Sequence, residues 1–589
     1  MFENIETIKI VSDKDSVKTF ILKEYFEKNS EEIKNDIILF ISKIKKKKIN
    51  DLELRKFLSF DNDFSIWDIS LINEKNVYKS DCILNLTKFI AIKKILKKNF
   101  TKKIILQNFD KKFIEKLKKT SIYKNYKFEL GSLKKTKINF KEKILLKINN
   151  SVLLGILYFL FFCFKNLSNK NLKDVKKMKK KKIIFNYFTQ YDQEKLEKGI
   201  FCPKQWPDIT YKLNNILWIN IFLPNKKFGN IHQINSFIKK KEINNIFFVN
   251  NFFEYNILLK VFKTFFISLY KFYFFVRKFK FDKGNYNDNL IFLKDDIKKS
   301  LCCFHLFQNL AYHFLIQNIL KKTNKSVNEI FYLFENQPWE KSLIFASRNL
   351  KIQNIYAYSH TTINYWHLNY FNTNNDNKNF LKNNFPQIIL CHSENCRKHL
   401  LSQGYKSNQL IKVSAERFRW ATKIKKKNFD KKKTRILVIG DYEKKINSNL
   451  IKEINYFMNK DLNNLRYSVT YKPHPSTFYD LNFLSKKINI SRKNLNRILG
   501  EYEIILSTNS TATSAEASLT NKKILIFIDY SNLDLSPFKL KNKFKNYFNF
   551  CDHNDLNKLI TSKNKKIDKY NFYFKKKYRN NWQKLFNSF

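Results

Sequence analysis

The stretch "YKPHPST", Tyr471–Thr477, sets a lysine and an imidazole between fixed points of backbone. Pro473 and Pro475 flank His474, and proline locks φ, so Lys472 and His474 are pinned directly after the apolar run "YSVTY". A second stretch, "YEIILSTNSTATSAEASL", reads as a strand that turns into a helix. Asn509, Ser510 and Thr511 crowd the expected helix start, and Glu516 follows within it. Free backbone N–H groups and short hydroxyls at a helix start form an anion site. A phosphate held between that start, Lys472 and His474 is well neutralised. Taken singly, the hydroxyls are ordinary N-caps and the histidine an ordinary structural one. Their occurrence in successive strand–helix units favours binding.

A different chemistry is offered by "FYLFENQPWEKSL" and "NIYAYSHTTINYWHLNYF". Glu335 ends one apolar run, a loop with Pro338 follows, and His360 ends the next run. A carboxylate or imidazole at such a strand end is a candidate general base. Glu340 is a further candidate, although an acid in a first helical turn also suits the helix dipole. His367, beside Trp366, reads as a packed or surface histidine. "CHSENC", Cys391–Cys396, does not have zinc-ligand spacing, and the acids of Asp61–Asp63 lack a strand to present them to a metal. No G-x-x-x-x-G-K-[ST] or G-x-G-x-x-G occurs, which disfavours an ATPase or a dinucleotide enzyme. No metal and no cofactor are expected.

Parallel α/β sheets are the elements that hold these residues. "IIFNYF", "ILWINIF", "NIFFVN", "EIFYLF" and "NIYAYS" form one set of short apolar runs. "QIILCHS", "TRILVIG", "YSVTYKP", "YEIILSTN" and "KKILIFID" form another. Helix-like spacers separate them, the pattern of βα units. Each chemistry-bearing residue follows a run, and open α/β sheets bind ligands at the carboxyl ends of their strands. The expected division is an N-terminal α/β region (1–145), in which "DIILFI" and "KIILQNF" read as strands, and an apolar segment with a basic linker (146–182). Two Rossmann-like domains follow, at 183–385 and at 386–589, the latter with a C-terminal helix.

Charge bounds the partners. The 589 residues carry 112 Lys and Arg against 51 Asp and Glu, a net charge of +61, which calls for an anionic partner. An AT-rich coding bias explains the abundance of lysine but not the scarcity of acids. The lysines are spread over the whole chain and no RNA or DNA module is visible, so a nucleic-acid-binding protein is the weaker alternative. The eight cysteines show no C-x-x-C pair and no disulfide framework, as in a reducing compartment. The N-terminus has early acids and no apolar signal core, so a cytoplasmic location is expected.

Two stretches point to a membrane surface. "VLLGILYFLFFCF", Val152–Phe164, has 13 residues, and such a helix is about 20 Å long, short of a bilayer core of about 30 Å. It is expected to be buried, interfacial or re-entrant, and to span only if its ends snorkel. Along Leu258–Phe281, Lys260, Lys263, Lys271 and Lys278 share one helical arc. Phe262, Phe265, Leu269, Phe272, Tyr273 and Val276 lie opposite them. A basic amphipathic helix of this kind lies in an anionic lipid interface or packs on a core.

"KPHP" followed by "NSTATSAEA" resembles the donor half of GT-B glycosyltransferases with cytidine-nucleotide donors, among them bacterial sialyltransferases, Kdo transferases and related glycerophosphotransferases. "FENQPWE", "YSHTTINYWHLNYF" and "FSIWDISLINEKNVYKS" resemble a family of bacterial surface-carbohydrate biosynthesis proteins. The resemblance implies two facing Rossmann-like domains and a phosphate site at His474, Ser510 and Thr511. It implies metal-independent, inverting transfer of an acidic sugar, a nonulosonate or Kdo, from a CMP donor to a lipid-linked or surface glycan. A CDP-alcohol glycerophosphotransferase is the alternative. "ENQ" stands where the sialyltransferases carry an acid-acid-Gly motif, so the base stays open between Glu335 and His360, with Glu340 behind them.

Overall fold

The computed structural model describes the chain outside residues 1–4, 13–15, 100–102, 135–150, 168–180, 280–287, 324–326, 374–375, 377–383, 425–432, 460–462, 475–483, 510–512, 536–546, 563–577, 588–589 and the single positions 190, 214, 226, 244, 353, 521 and 531. Most of the lysine-rich run after the apolar segment lies outside the described residues.

The first large sheet has seven strands, all parallel. Their spatial order is Ile246–Phe248, Ile216–Phe222, Lys182–Phe188, Glu329–Leu333, Asn354–Ser359, Ile388–Cys391 and Leu410–Lys412. The second has six: Asn489–Ile490, Tyr467–Lys472, Thr434–Ile439, Ile504–Thr508, Lys523–Phe527 and Tyr547–Phe550. It too is wholly parallel. In both, the order along the chain is 3-2-1-4-5-6, the doubly wound Rossmann order, with a seventh strand added to the first sheet. The fold is α/β and GT-B-like: two Rossmann-like domains and an N-terminal α/β region. Continuous apolar runs suit strands covered on both faces, and Glu329–Leu333 is buried at every position.

Ile388–Cys391, grouped by sequence pattern with the later block, pairs with Tyr356–Ser359 in the first sheet. The chain passes to the second sheet only after Leu410–Lys412. It then returns. The helix Arg579–Asn587 buries Trp582 and Phe586 against Phe331 and Tyr358 of the first sheet. Trp582 Nε1 donates to the Ser414 carbonyl at 3.0 Å.

The N-terminal region adds a sheet of four strands, Val17–Ile21, Thr7–Val11, Lys103–Gln107 and Phe128–Leu130. "DIILFI" corrects one expectation, because it lies inside the helix Ser30–Lys46. Ile33, Ile37, Ile41 and Ile44 recur at helical spacing, and all are buried. The short run inside this pattern was ambiguous between strand and helix.

The two membrane candidates are both helices that pack on one side, Val152–Leu167 and Tyr255–Phe279. Phe265 stacks on Phe307 at 3.9 Å, and Phe262 and Leu269 lie against the same core. Of the expected apolar side, Phe262, Phe265, Leu269 and Phe272 thus pack on the core, whereas Tyr273 and Val276 are exposed. Lys271 corrects a second expectation. It is half-buried and donates to the Ser59 carbonyl at 2.6 Å, so it stands apart from any exposed basic arc. The Lys278 side chain lies outside the described residues.

Candidate active site

In each sheet the order reverses between its first and fourth strands in the chain, the point at which open α/β sheets bind ligands. In the second sheet this point lies between Thr434–Ile439 and Ile504–Thr508. Gly440 follows the first of these strands. A side chain there would fall inside van der Waals contact with the Tyr471 hydroxyl, so the Tyr471 ring would have to shift to admit one. Asp441 comes next and is fully buried. Its carboxylate accepts a hydrogen bond from the Thr508 hydroxyl across the switch point, and another from the Glu443 amide at 2.9 Å. His474, half-buried, lies beside this acid with its ring centroid 6.1 Å from that of Tyr442. Burial lowers the His474 pKa, the Asp441 charge opposes that, and Lys472 and Arg417 add to it. Lys472 ends its strand nearly buried, and burial lowers its pKa. Asn509 is buried, and its Oδ1 has no hydrogen-bond partner among the described residues. Ser510 and Thr511, the expected phosphate-binding pair, lie outside the described residues.

In the first sheet, Glu335 follows Glu329–Leu333 and His360 follows Asn354–Ser359. The loop after Glu335 is set by local rules. Asn336 takes the left-handed conformation, with φ of 55°, which Asn tolerates better than most residues. Pro338 opens the helix Pro338–Asn349 where its missing N–H costs nothing. Glu340 reaches back, its two carboxylate oxygens accepting from the Glu335 amide at 2.9 Å and the Asn336 amide at 2.8 Å. Both its oxygens are thus engaged by the loop, and it braces Glu335 from a buried position. Gln337 donates to the Glu335 carboxylate.

His360 Nε2 lies 3.6 Å from Glu335 Oε1, with 28% of the Glu335 side chain open to solvent. Burial raises the Glu335 pKa, opposed by the Gln337 hydrogen bond and the charges of Lys79 and Arg417. Burial pushes His360 down to about 3, with Arg417 and His392 adding to it. His360 is therefore neutral at pH 7.

Three contributors carried no sequence signal strong enough to single them out. Arg417 leaves the first sheet in the segment Glu416–Lys423 and sets its Nε 3.5 Å from Glu516 Oε1 of the second domain. Burial raises the Glu516 pKa, and Arg417 opposes it. The charge of this one guanidinium is felt by Glu335, His360, His474 and Glu516, which the sequence had assigned to opposite domains. Tyr78, from the N-terminal region, spans the same cleft. Its hydroxyl is 2.9 Å from His367 Nε2, and its ring lies 5.8 Å from that of Tyr442. Asp441 is the third. Its only sequence signal was its place one residue beyond the end of an apolar strand, after Gly440. The acid of the early triplet, Asp61, is instead paired with His313 at 2.9 Å.

No protein-family model and no curated protein sequence matches the chain. Solved structures do. The UDP-GlcNAc 2-epimerase of Methanocaldococcus jannaschii in complex with UDP-GlcNAc and UDP is 13% identical, with 69% of this chain and 100% of that chain covered and a TM-score of 0.41. The UDP-N-acetylglucosamine 2-epimerase of Rickettsia bellii is 11% identical over 69% of this chain and 95% of that one, with a TM-score of 0.40. The glycotransferase of kitacinnamycin is 6% identical over 65% and 87%, with a TM-score of 0.32.

Proposed function

We propose that the cleft between the two Rossmann-like domains transfers a sugar from a nucleotide-activated donor to a glycan acceptor. The second domain takes the donor. Lys472, His474, Asn509, Ser510 and Thr511 receive its phosphate, and Asn509 Oδ1 accepts from a donor hydroxyl or amide. The first domain takes the acceptor. Arg417 carries this proposal: a single cation stands within electrostatic reach of the candidate bases on one side and of the candidate phosphate site on the other. Negative charge gathers on the leaving phosphate during transfer, and a fixed cation there is the largest electrostatic aid available.

Glu335 is the better of the two candidate bases. A base works best with a pKa near the working pH. The Glu335 carboxyl is shifted upward, towards neutrality, whereas His360 at about 3 is a feeble proton acceptor. The neutral His360 imidazole stands beside the Glu335 carboxylate, its Nε2 3.6 Å from Oε1, just beyond hydrogen-bond distance. The proton of the acceptor hydroxyl passes to Glu335 as the new glycosidic bond forms and the bond to the phosphate oxygen breaks.

The donor we favour is a CMP-activated acidic sugar of the nonulosonate or Kdo class, because its own carboxylate can pair with a cation such as Lys472 or Arg417. The proposal includes work at the cytoplasmic face of a membrane on a lipid-linked or surface glycan. A thermal-shift series with CMP, CDP, UDP and GDP tests the site, since a ligand of the folded state raises apparent stability. CMP is expected to stabilise most. Stabilisation by CDP but not CMP turns the assignment to glycerophosphate transfer. No shift with any nucleotide, together with sequence-independent, salt-sensitive DNA binding, overturns it.

A further inference from the structure

Two helices of the first domain present apolar side chains that nothing among the described residues covers. Val152–Leu167 and Tyr255–Phe279 pack side by side on the helix Phe304–Thr323. Phe159 meets Phe262 at 5.8 Å and Phe307 at 4.8 Å, and Phe265 stacks on Phe307. Gly155 brings its helix so close that an added Cβ would lie 2.9 Å from the Phe304 nitrogen. Since both helices turn their packed sides to the same third helix, their outer sides face away from it together.

Those outer sides are not polar. Leu153 is 66% exposed, Leu157 54%, Leu259 70%, Phe266 57%, Tyr270 66% and Tyr273 59%. On the second helix, Leu259, Phe266, Tyr270 and Tyr273 fall within an arc of about 60° at 100° per residue. Lys263 and Arg277 stand in or beside that arc, Lys260 flanks it, and all three are exposed. Single exposed apolar residues are ordinary, but a continuous stripe of them marks an interaction surface.

Charge selects the partner. Neither helix contains an Asp or a Glu. A second copy of the same face would therefore bring lysine against lysine, whereas anionic headgroups complement it. Tyrosines on such a stripe suit the boundary between acyl chain and water. Among the described residues no helix is long and apolar enough to cross a membrane.

We propose that this face lies flat on an anionic bilayer. Leu259, Phe266 and Tyr270 enter the acyl boundary, and Lys260, Lys263 and Arg277 meet headgroup phosphates. The proposal rests on the membrane attachment included in the functional reading above, not on the transfer chemistry.

Co-sedimentation with vesicles of phosphatidylcholine, with and without phosphatidylglycerol, tests it. The full chain is expected to bind the anionic vesicles and to be released by salt. Leu259→Ser, Phe266→Ser and Tyr270→Ser combined should weaken binding at least about tenfold. Their side chains are exposed, so the melting temperature and its response to nucleotide should stay at the parent's values. Lys260→Glu, Lys263→Glu and Arg277→Glu combined should abolish the preference for phosphatidylglycerol. Vesicle binding equal to the parent's in the triple serine variant overturns the proposal. So does a parent that ignores vesicles and sediments as a dimer which that variant splits. Vesicle binding without any nucleotide response leaves this face standing and removes the transfer reaction instead.

Discussion

Arg417 Nε stands 3.5 Å from Glu516 Oε1, an ion pair formed between the two domains rather than within either. Its worth is electrostatic placement more than stability. The Arg417 side chain is 19% exposed, and partly exposed pairs contribute little.

Replacing Arg417 should therefore spare the fold and damage the reaction. Arg417→Ala is expected to lose on the order of 10²-fold in kcat, with a small change in melting temperature. The pH profile supplies the distinguishing readout. Arg417 holds the Glu335 pKa down, so its removal lets that pKa rise. A base must be deprotonated, and the acidic limb of the rate profile should move to higher pH. An unmoved limb would remove Arg417 from the cleft chemistry.

Glu335→Gln should abolish transfer, by about 10²–10⁴-fold, while leaving the nucleotide-induced thermal shift intact. It should also stabilise the protein, with a definite pH dependence. The Glu335 pKa is raised on folding, so its charged form costs stability at pH above that raised value. Below the unfolded value both states are protonated and the cost vanishes. Urea unfolding should find the variant more stable than the parent at neutral pH and equal to it in acid. His360→Ala should retain more activity than Glu335→Gln; the reverse ranking would make the imidazole the base.

Glu340→Ala removes the acceptor of two loop amides. Each orphaned amide costs about 1–3 kcal/mol, so a clear loss in urea midpoint is expected. Glu340→Gln keeps one acceptor oxygen and should fall between. If Glu340→Gln equals the parent in stability but is inactive, Glu340 takes part in the chemistry itself.

Gly440→Ala should destabilise the second domain by driving a methyl into the Tyr471 hydroxyl, which itself donates to Asn447 Oδ1 at 2.9 Å. Adding Tyr471→Phe removes that oxygen and should restore part of the loss. A double-mutant cycle with no coupling between the two positions would contradict the close approach.

Much of the scaffold was written locally. The apolar runs "IIFNYF", "ILWINIF" and "TRILVIG" are strands because their length and flanks leave little else. Glu335, His360 and His474 could be named because each follows such a run. Arg417 could not. It lies in "ERFRW", without periodicity, and its importance comes from Glu516 and His474, far along the chain. The helix Tyr255–Phe279 was legible in part: Phe262, Phe265, Leu269 and Phe272 of the expected apolar side do pack, but Tyr273 and Val276 do not. Apolar residues occupy most of its circumference, so pattern alone could not set the edges of the side that the core would claim. Packing on Phe307 took Phe265 and left Leu259 and Tyr270 outside.

The returning helix has a consequence in time. Trp582 closes the aromatic cluster of the first sheet by bonding to Ser414, 168 residues earlier in the chain. A ribosome that has finished the first sheet has therefore not yet made the residues that seal it. During synthesis the sides of Phe331 and Tyr358 that Phe586 and Trp582 will cover stay open while the whole second domain is translated, and that domain is free to fold first. The seal then forms between pieces made at very different moments, so the nascent chain passes through a stage with one finished domain and one open core, the stage most in need of a chaperone.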